Sequence, residues 1–265
     1  MPILVYILVF TFIASIGSLI GGIILLAKEK FAAKISHFLS AFAAGALLAT
    51  AFFDLLPESL EEAKHLAQEG MPEVNVFAWA ITGFLFFFLL ERWIHWAHHH
   101  QVGEKFDNRK GPKSTIPLVM IGDSVHNFID GVIIATTFLV SIPLGIITSF
   151  AVAAHEIPQE IGDFGIMLHK GLKKGKILLF NLLSAAIAMV GAIMAYLFGE
   201  SLEGFIPIFL SLAAGFFIYI AASDLIPEIH NEEKREVALL ESLVLVLGVI
   251  TVWLAITFLE GVITH

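Results

Sequence analysis

The chain has 265 residues, 58% of them hydrophobic, and a mean hydropathy of +0.88; this excludes an ordinary soluble globular domain and makes the bilayer the expected solvent. The formal net charge is −9 and there is no cysteine. Disulfides and thiolate ligation are therefore excluded, and any bound metal must use nitrogen and oxygen donors, which argues against copper(I).

Eight stretches, α1 to α8, contain the roughly 20 apolar residues that a helix needs to cross about 30 Å of hydrocarbon. They run near 2–27, 35–57, 74–94, 115–139, 143–168, 177–199, 205–227 and 238–260. The first has no positive residue before Lys28 and is too long for a secretory signal, so it is expected to stay as a helix. Lys28, Lys30 and Lys34 follow α1, and Arg92, Lys105, Arg109, Lys110 and Lys113 follow α3. Lys170, Lys173, Lys174 and Lys176 follow α5, and Lys234 and Arg235 follow α7. Only Lys64, after α2, falls on the other side. By the positive-inside rule this distribution puts both termini outside the cell membrane and makes the helix count even.

The outer connection after α2 is acidic (Glu58, Glu61, Glu62, Glu69, Glu73). It is either a solvated surface or a means of concentrating cations at an entrance. The cytoplasmic connection 95–114 carries His95, His98, His99 and His100, a group that could hold departing metal weakly or be a solvated turn. An internal repeat is also present. In α2, Ala43-Ala44-Gly45 is followed after eight residues by Asp54-Leu55-Leu56-Pro57-Glu58, and in α7, Ala213-Ala214-Gly215 is followed after eight residues by Asp224-Leu225-Ile226-Pro227-Glu228. The charge assignment runs these helices in opposite directions, so helices α1–α3 are expected to be mirrored by α6–α8 around α4 and α5, a 3+2+3 inverted-repeat arrangement. The matched Asp and Glu then read as paired gates.

The densest polar residues lie where lipid disfavours them. Asp123, His126, Asn127 and Asp130 interrupt α4, and His155, Glu156, Gln159, Glu160 and Asp163 interrupt α5. Ionisable groups at this depth mark a pathway or a site. Their three- and four-residue spacing forms one stripe on each helix. A short turn near Ser141 to Pro143 makes the two helices antiparallel neighbours. Counted from Ser141, His126 lies 15 residues back and His155 14 forward, so both sit about 21 to 22 Å from the turn, near the membrane middle. Pro158 is expected to kink α5, and Gly131 removes bulk beside Asp130. Imidazole, carboxylate and amide donors together suit zinc, iron(II), manganese or cadmium better than magnesium or sodium.

HNFIDG at 126–131 and HEIPQEIGDF at 155–164 resemble the α4 and α5 motifs of the ZIP (Zrt/Irt-like protein) divalent metal transporters, closest to the subfamily with HNFTDG and HEIPHE. The resemblance covers the whole chain and implies an all-α membrane protein of eight helices, a single transporter domain over residues 1–265. It also implies a binuclear centre midway through the pore. One site would use His126, Asp130, His155 and Gln159, and the second Asn127, Asp130, Glu156 and Gln159, with Asp130 bridging. Asn181 on α6 is a weaker candidate for the second site, and Glu160 and Asp163 would line the release path. The subfamily usually has a third histidine where this chain has Gln159, and a neutral amide binds metal less strongly. Net movement into the cytoplasm is implied, with α4 and α5 shifting as an elevator.

Zinc, or else iron, manganese or cadmium, is thus the expected cargo, with no catalytic cofactor. No phosphate-binding loop is present, so no ATP dependence is expected. No nucleic-acid partner is expected, and the oligomeric state, a homodimer included, is left open. The rival reading is an intramembrane zinc hydrolase, because His155-Glu156 with Gln159 is one residue away from an HExxH motif. Pro158 within that turn and the matching stripe on α4 speak against it.

Overall fold

In lipid every backbone N–H and C=O must be satisfied within the protein, so a chain of this composition has the helix as its natural form. The computed structural model describes residues 2–100, 115–169, 171–230 and 235–263. Among the described residues there are helices and no strands. The helical rods are α1 (Ile3–Ala27), α2 (Glu29–Thr50 continuing into Leu56–Gln68), α3 (Val76–His100), α4 (Thr115–Val140), α5 (Ile142–His169), α6 (Lys174–Leu202), α7 (Ile206–Ile220 continuing into Ile226–His230) and α8 (Arg235–Ile263). Six of them, α1, α2, α3, α6, α7 and α8, are long and apolar enough to span a bilayer. The remaining two, α4 and α5, are 26 and 28 residues long and carry the polar stripes.

Two expected boundaries are corrected. Pro57 and Pro227 do not end their helices. A π turn, Ala51–Leu55 in α2 and Ala221–Leu225 in α7, precedes each proline, and the helix then continues. Each turn closes with an N–H five residues on, from Leu56 to the Ala51 carbonyl and from Ile226 to the Ala221 carbonyl. The prolines fall at the start of the following helical segment, where a missing N–H is tolerated, and the wider turn relieves the ring's clash with the preceding carbonyl. Both turns hold the aspartate of the repeat, Asp54 or Asp224. Pro158 lies inside α5, which runs from Ile142 to His169 as one helix.

Glycines decide which helices approach most closely. A Cβ on Gly45 of α2 would strike the Leu245 carbonyl of α8, and one on Gly248 of α8 would strike the Phe42 carbonyl of α2. The same reciprocal contact recurs between α3 and α7, where Gly215 meets the Ala80 carbonyl and Gly83 the Leu212 carbonyl. Gly131 and Gly191 bring α4 and α6 together through the Ala188 and Phe128 carbonyls, and Gly21 and Gly22 seat α1 on Ile157 and Phe164 of α5. Small residues of this kind let membrane helices pack backbone to backbone. The packing therefore has two groups, α2 with α8 and α3 with α7, and α4 with α6 and α1 with α5, which meet chiefly along α2 and α5.

Candidate metal centre

The α4–α5 hairpin sets the site. Only Ser141 separates the two helices, and its hydroxyl accepts from the Leu144 N–H at 3.3 Å while its carbonyl accepts from the Gly145 N–H at 3.1 Å. A side chain at 145 would collide with the Phe138 ring, so the glycine permits the tight reversal. Antiparallel helices leaving one residue apart keep equal counts at equal depth. His126 and His155 accordingly meet, with Nε2 to Nε2 at 3.0 Å.

Around this pair stand two carboxylates. Asp130 Oδ2 is 3.3 Å from His155 Nε2 and 3.6 Å from His126 Nε2, and Glu156 Oε1 is 3.7 Å from His126 Nε2. One ligand atom from each of the four residues lies within 4.8 Å of every other. Tetrahedral zinc with N and O bonds of about 2.0–2.2 Å has ligand-to-ligand edges of roughly 3.3–3.6 Å, so the spacing is near that of a coordination shell. His155 Nδ1 lies 3.2 Å from the Ala151 carbonyl. Donation there leaves Nε2 as the free lone pair, the usual second contact of a metal-binding imidazole. Phe87 packs edge-on against His126 at 5.4 Å and Phe217 lies 6.3 Å from His155, walling the cluster with apolar rings.

All four residues are buried, His155 and Glu156 completely. Both Glu156 oxygens, Asp130 Oδ2 and Asn127 Oδ1 lack a hydrogen-bond partner among the described residues. Orphaned buried oxygens and adjacent carboxylates are costly unless a cation completes them. Two imidazoles with two carboxylates form a hard-to-borderline N/O set that fits a divalent transition metal.

The sequence profile described as "ZIP Zinc transporter" matches residues 2–117 and 116–255. The chain belongs to that family. It is 33% identical over 171 residues, 63% of this chain and 24% of the relative, to "Zinc transporter foi" of Drosophila melanogaster. With "Zinc transporter ZIP4" of Mus musculus the identity is 41% over 149 residues, 56% of this chain and 22% of the relative. With "Zinc transporter ZIP10" of Homo sapiens it is 36% over 120 residues, 45% and 14%. The matched stretch thus spans a quarter or less of the length of these curated relatives. Membership in this integral membrane transporter family does not favour the hydrolase reading.

Within this ZIP chain the other sequence-predicted residues take separate positions. Asn127 turns to Asp123, its amide donating to the Asp123 carboxylate at 3.0 Å and to the Asp123 carbonyl at 3.1 Å. Ser184 and Gln159 interact with the same carboxylate. Gln159 therefore contacts Asp123, while Glu156 joins the four-residue cluster. Glu160 is buried with both oxygens lacking a hydrogen bond among the described residues, and Asp123 lies in electrostatic range of Glu156, Glu160 and Asp163. Asn181 is buried on α6, its amide donating to the Ile177 carbonyl at 2.9 Å. Asp123 was legible as part of the α4 stripe but not as the hub it forms; its position three and four residues before His126 and Asn127 was the available signal. A second polar group was not anticipated. The Tyr219 hydroxyl on α7 donates to Glu91 on α3, with Asp224 in electrostatic range of Glu91 and His155. The side chains of His95 and His98–His100, and residues 101–114, lie outside the described residues.

Proposed function

We propose that this ZIP chain carries divalent transition-metal ions, zinc foremost, across the cell membrane into the cytoplasm, with both termini external. It acts as a single membrane domain over residues 1–265 with the 95–114 connection inside. The observation that carries this reading is the convergence of His126, Asp130, His155 and Glu156, all buried, from two adjacent helices. Two carboxylates beside two imidazoles, buried within the membrane span, are a donor set suited to a transported dication.

The centre is binuclear in this reading. The four-residue cluster holds one ion, and the second lies toward Asn127, Gln159 and Asp123, with Asp130 and Glu156 between them. Glu160 and Asp163 continue the acidic line toward the lysine-rich side, where the ion leaves. Support for the 3+2+3 inverted repeat comes from the matched π turns and from the reciprocal glycine contacts, which relate α2 on α8 to α7 on α3. The same glycines support an elevator. Close backbone contacts lie within the α1–α4–α5–α6 group and within the α2–α3–α7–α8 group, leaving the border between groups free to slide.

Uptake of labelled zinc into proteoliposomes tests the function. Wild-type chain is expected to accumulate zinc without ATP, with iron, manganese and cadmium as competitors. Failure to move any of the four ions overturns the reading.

A further inference from the structure

The carboxylates around the centre are of two kinds. Asp130 and Glu156 carry buried oxygens with no hydrogen-bond partner among the described residues. Asp123, one turn before Asn127 on α4, is instead met by side chains from three helices. Asn127 of α4 donates an amide N–H to its Oδ1 at 3.0 Å, and Gln159 of α5 and Ser184 of α6 hydrogen-bond to the same carboxylate. Ser184 is buried, and its hydroxyl is also 3.1 Å from that of Ser124 on α4. These helices lie in one packing group with the His126–His155 pair.

The Asp123 carboxylate decides which end of each amide is left for an ion. Amide nitrogen and oxygen are told apart by their partners. Asn127 Nδ2 faces the Asp123 carboxylate and, at 3.1 Å, the Asp123 backbone carbonyl, and both of these only accept. The carbonyl end of Asn127 is thereby turned away from Asp123. It is fully buried and has no hydrogen-bond partner among the described residues. Gln159 is under the same constraint, because a carboxylate takes the NH2 end of an amide and leaves its oxygen facing elsewhere. An amide binds a cation through its oxygen alone, and a reversed amide would present N–H dipoles to the metal instead. A buried carbonyl in this state calls for a partner, and a dication at the centre is one.

We propose that Asp123 is a positioning residue of the metal centre: it takes the N–H ends of Asn127 and Gln159 and so presents their carbonyl oxygens to the second ion. This role rests on the binuclear centre proposed above. Asp123 acts through the two amides and is not itself a ligand, since its carboxylate is already engaged by side chains from three helices. Partners of this kind fix the direction of a ligand atom and thereby the affinity of the site. A contribution from the Asp123 charge alone would be felt by the ion directly and would not depend on either amide.

Equilibrium dialysis of zinc against the full chain in detergent separates these cases. Asp123→Leu, Asn127→Ala and Gln159→Ala are compared singly and with the Asp123 change combined with each amide change, which gives two double-mutant cycles. Asp123→Leu should weaken the second zinc about 10–100-fold, and Asp123→Asn, which keeps an accepting oxygen, should lose less. Each combined substitution should cost clearly less than the product of its two single losses. The outer-shell scattering of two imidazoles in X-ray absorption should persist in Asp123→Leu, because the first ion does not depend on the amides. Losses that multiply in both cycles make Asp123 a ligand or a bare charge and overturn the proposal, as does unchanged binding in Asp123→Leu. If Asp123→Leu does not fold, Asp123→Asn completes the same cycles. A wild-type chain that takes up one zinc overturns the binuclear reading, and the cycles on that one ion then decide the role of Asp123 by the same criterion.

Discussion

His155 illustrates how much one side chain is asked to do. Its Nδ1 is committed to the Ala151 carbonyl and its Nε2 faces both His126 and Asp130. Replacing a partner that merely orients a metal ligand typically costs about 10–100-fold in affinity, so His155→Ala or Asp130→Ala should lower zinc uptake by at least that factor. Initial rates in proteoliposomes, normalised to reconstituted protein, measure it. Gln159 has a different expected effect. Gln159→His adds an imidazole beside Asp123, which should tighten zinc binding in dialysis and slow its release, lowering the uptake rate at saturating zinc. The identities of these residues were legible because ionisable groups inside an apolar run are conspicuous. Their grouping was not: helical spacing brings 155, 156, 159 and 160 to nearby faces, and only side-chain placement shows Glu156 beside His126 and Gln159 beside Asp123.

Among the helices, the tight pairs carry the clearest consequences. A Cβ at Gly131 meets the Ala188 carbonyl, which belongs to a helix backbone and cannot yield. Gly131→Val should therefore cost about 1–3 kcal/mol, seen as a lower melting temperature of the detergent-solubilised chain. Gly175→Ala, in open space at the start of α6, should change it little. The all-helical fold followed from apolar length, and the hairpin at Ser141 from its shortness. The π turns did not, because a proline after an apolar run reads as a stop. A one-residue widening of the preceding turn leaves no compositional mark, and the clue was that the same Asp-Leu-x-Pro-Glu recurs in α2 and α7 at one spacing.

Over the whole molecule, the charge asymmetry and the two packing groups make predictions of their own. The chain has no cysteine, so single introduced thiols report sidedness directly. Ser141→Cys should react with an impermeant reagent from outside intact cells and Lys173→Cys only after permeabilisation. A cysteine pair at Thr136 and Phe209, which line the α4–α7 border together, should halt uptake when oxidised and restore it when reduced. A pair at Tyr6 and Phe138, in ring contact at 6.2 Å within one group, should leave uptake unaffected. The central claim is that zinc sits between α4 and α5 on two imidazoles and two carboxylates. X-ray absorption of zinc bound to the full chain tests it most directly. Nitrogen and oxygen neighbours at about 2.0–2.2 Å with the outer-shell scattering of two imidazoles are predicted, and that signal should vanish in His126→Ala/His155→Ala. A shell without imidazole scattering, or one the double substitution leaves unchanged, would contradict the account.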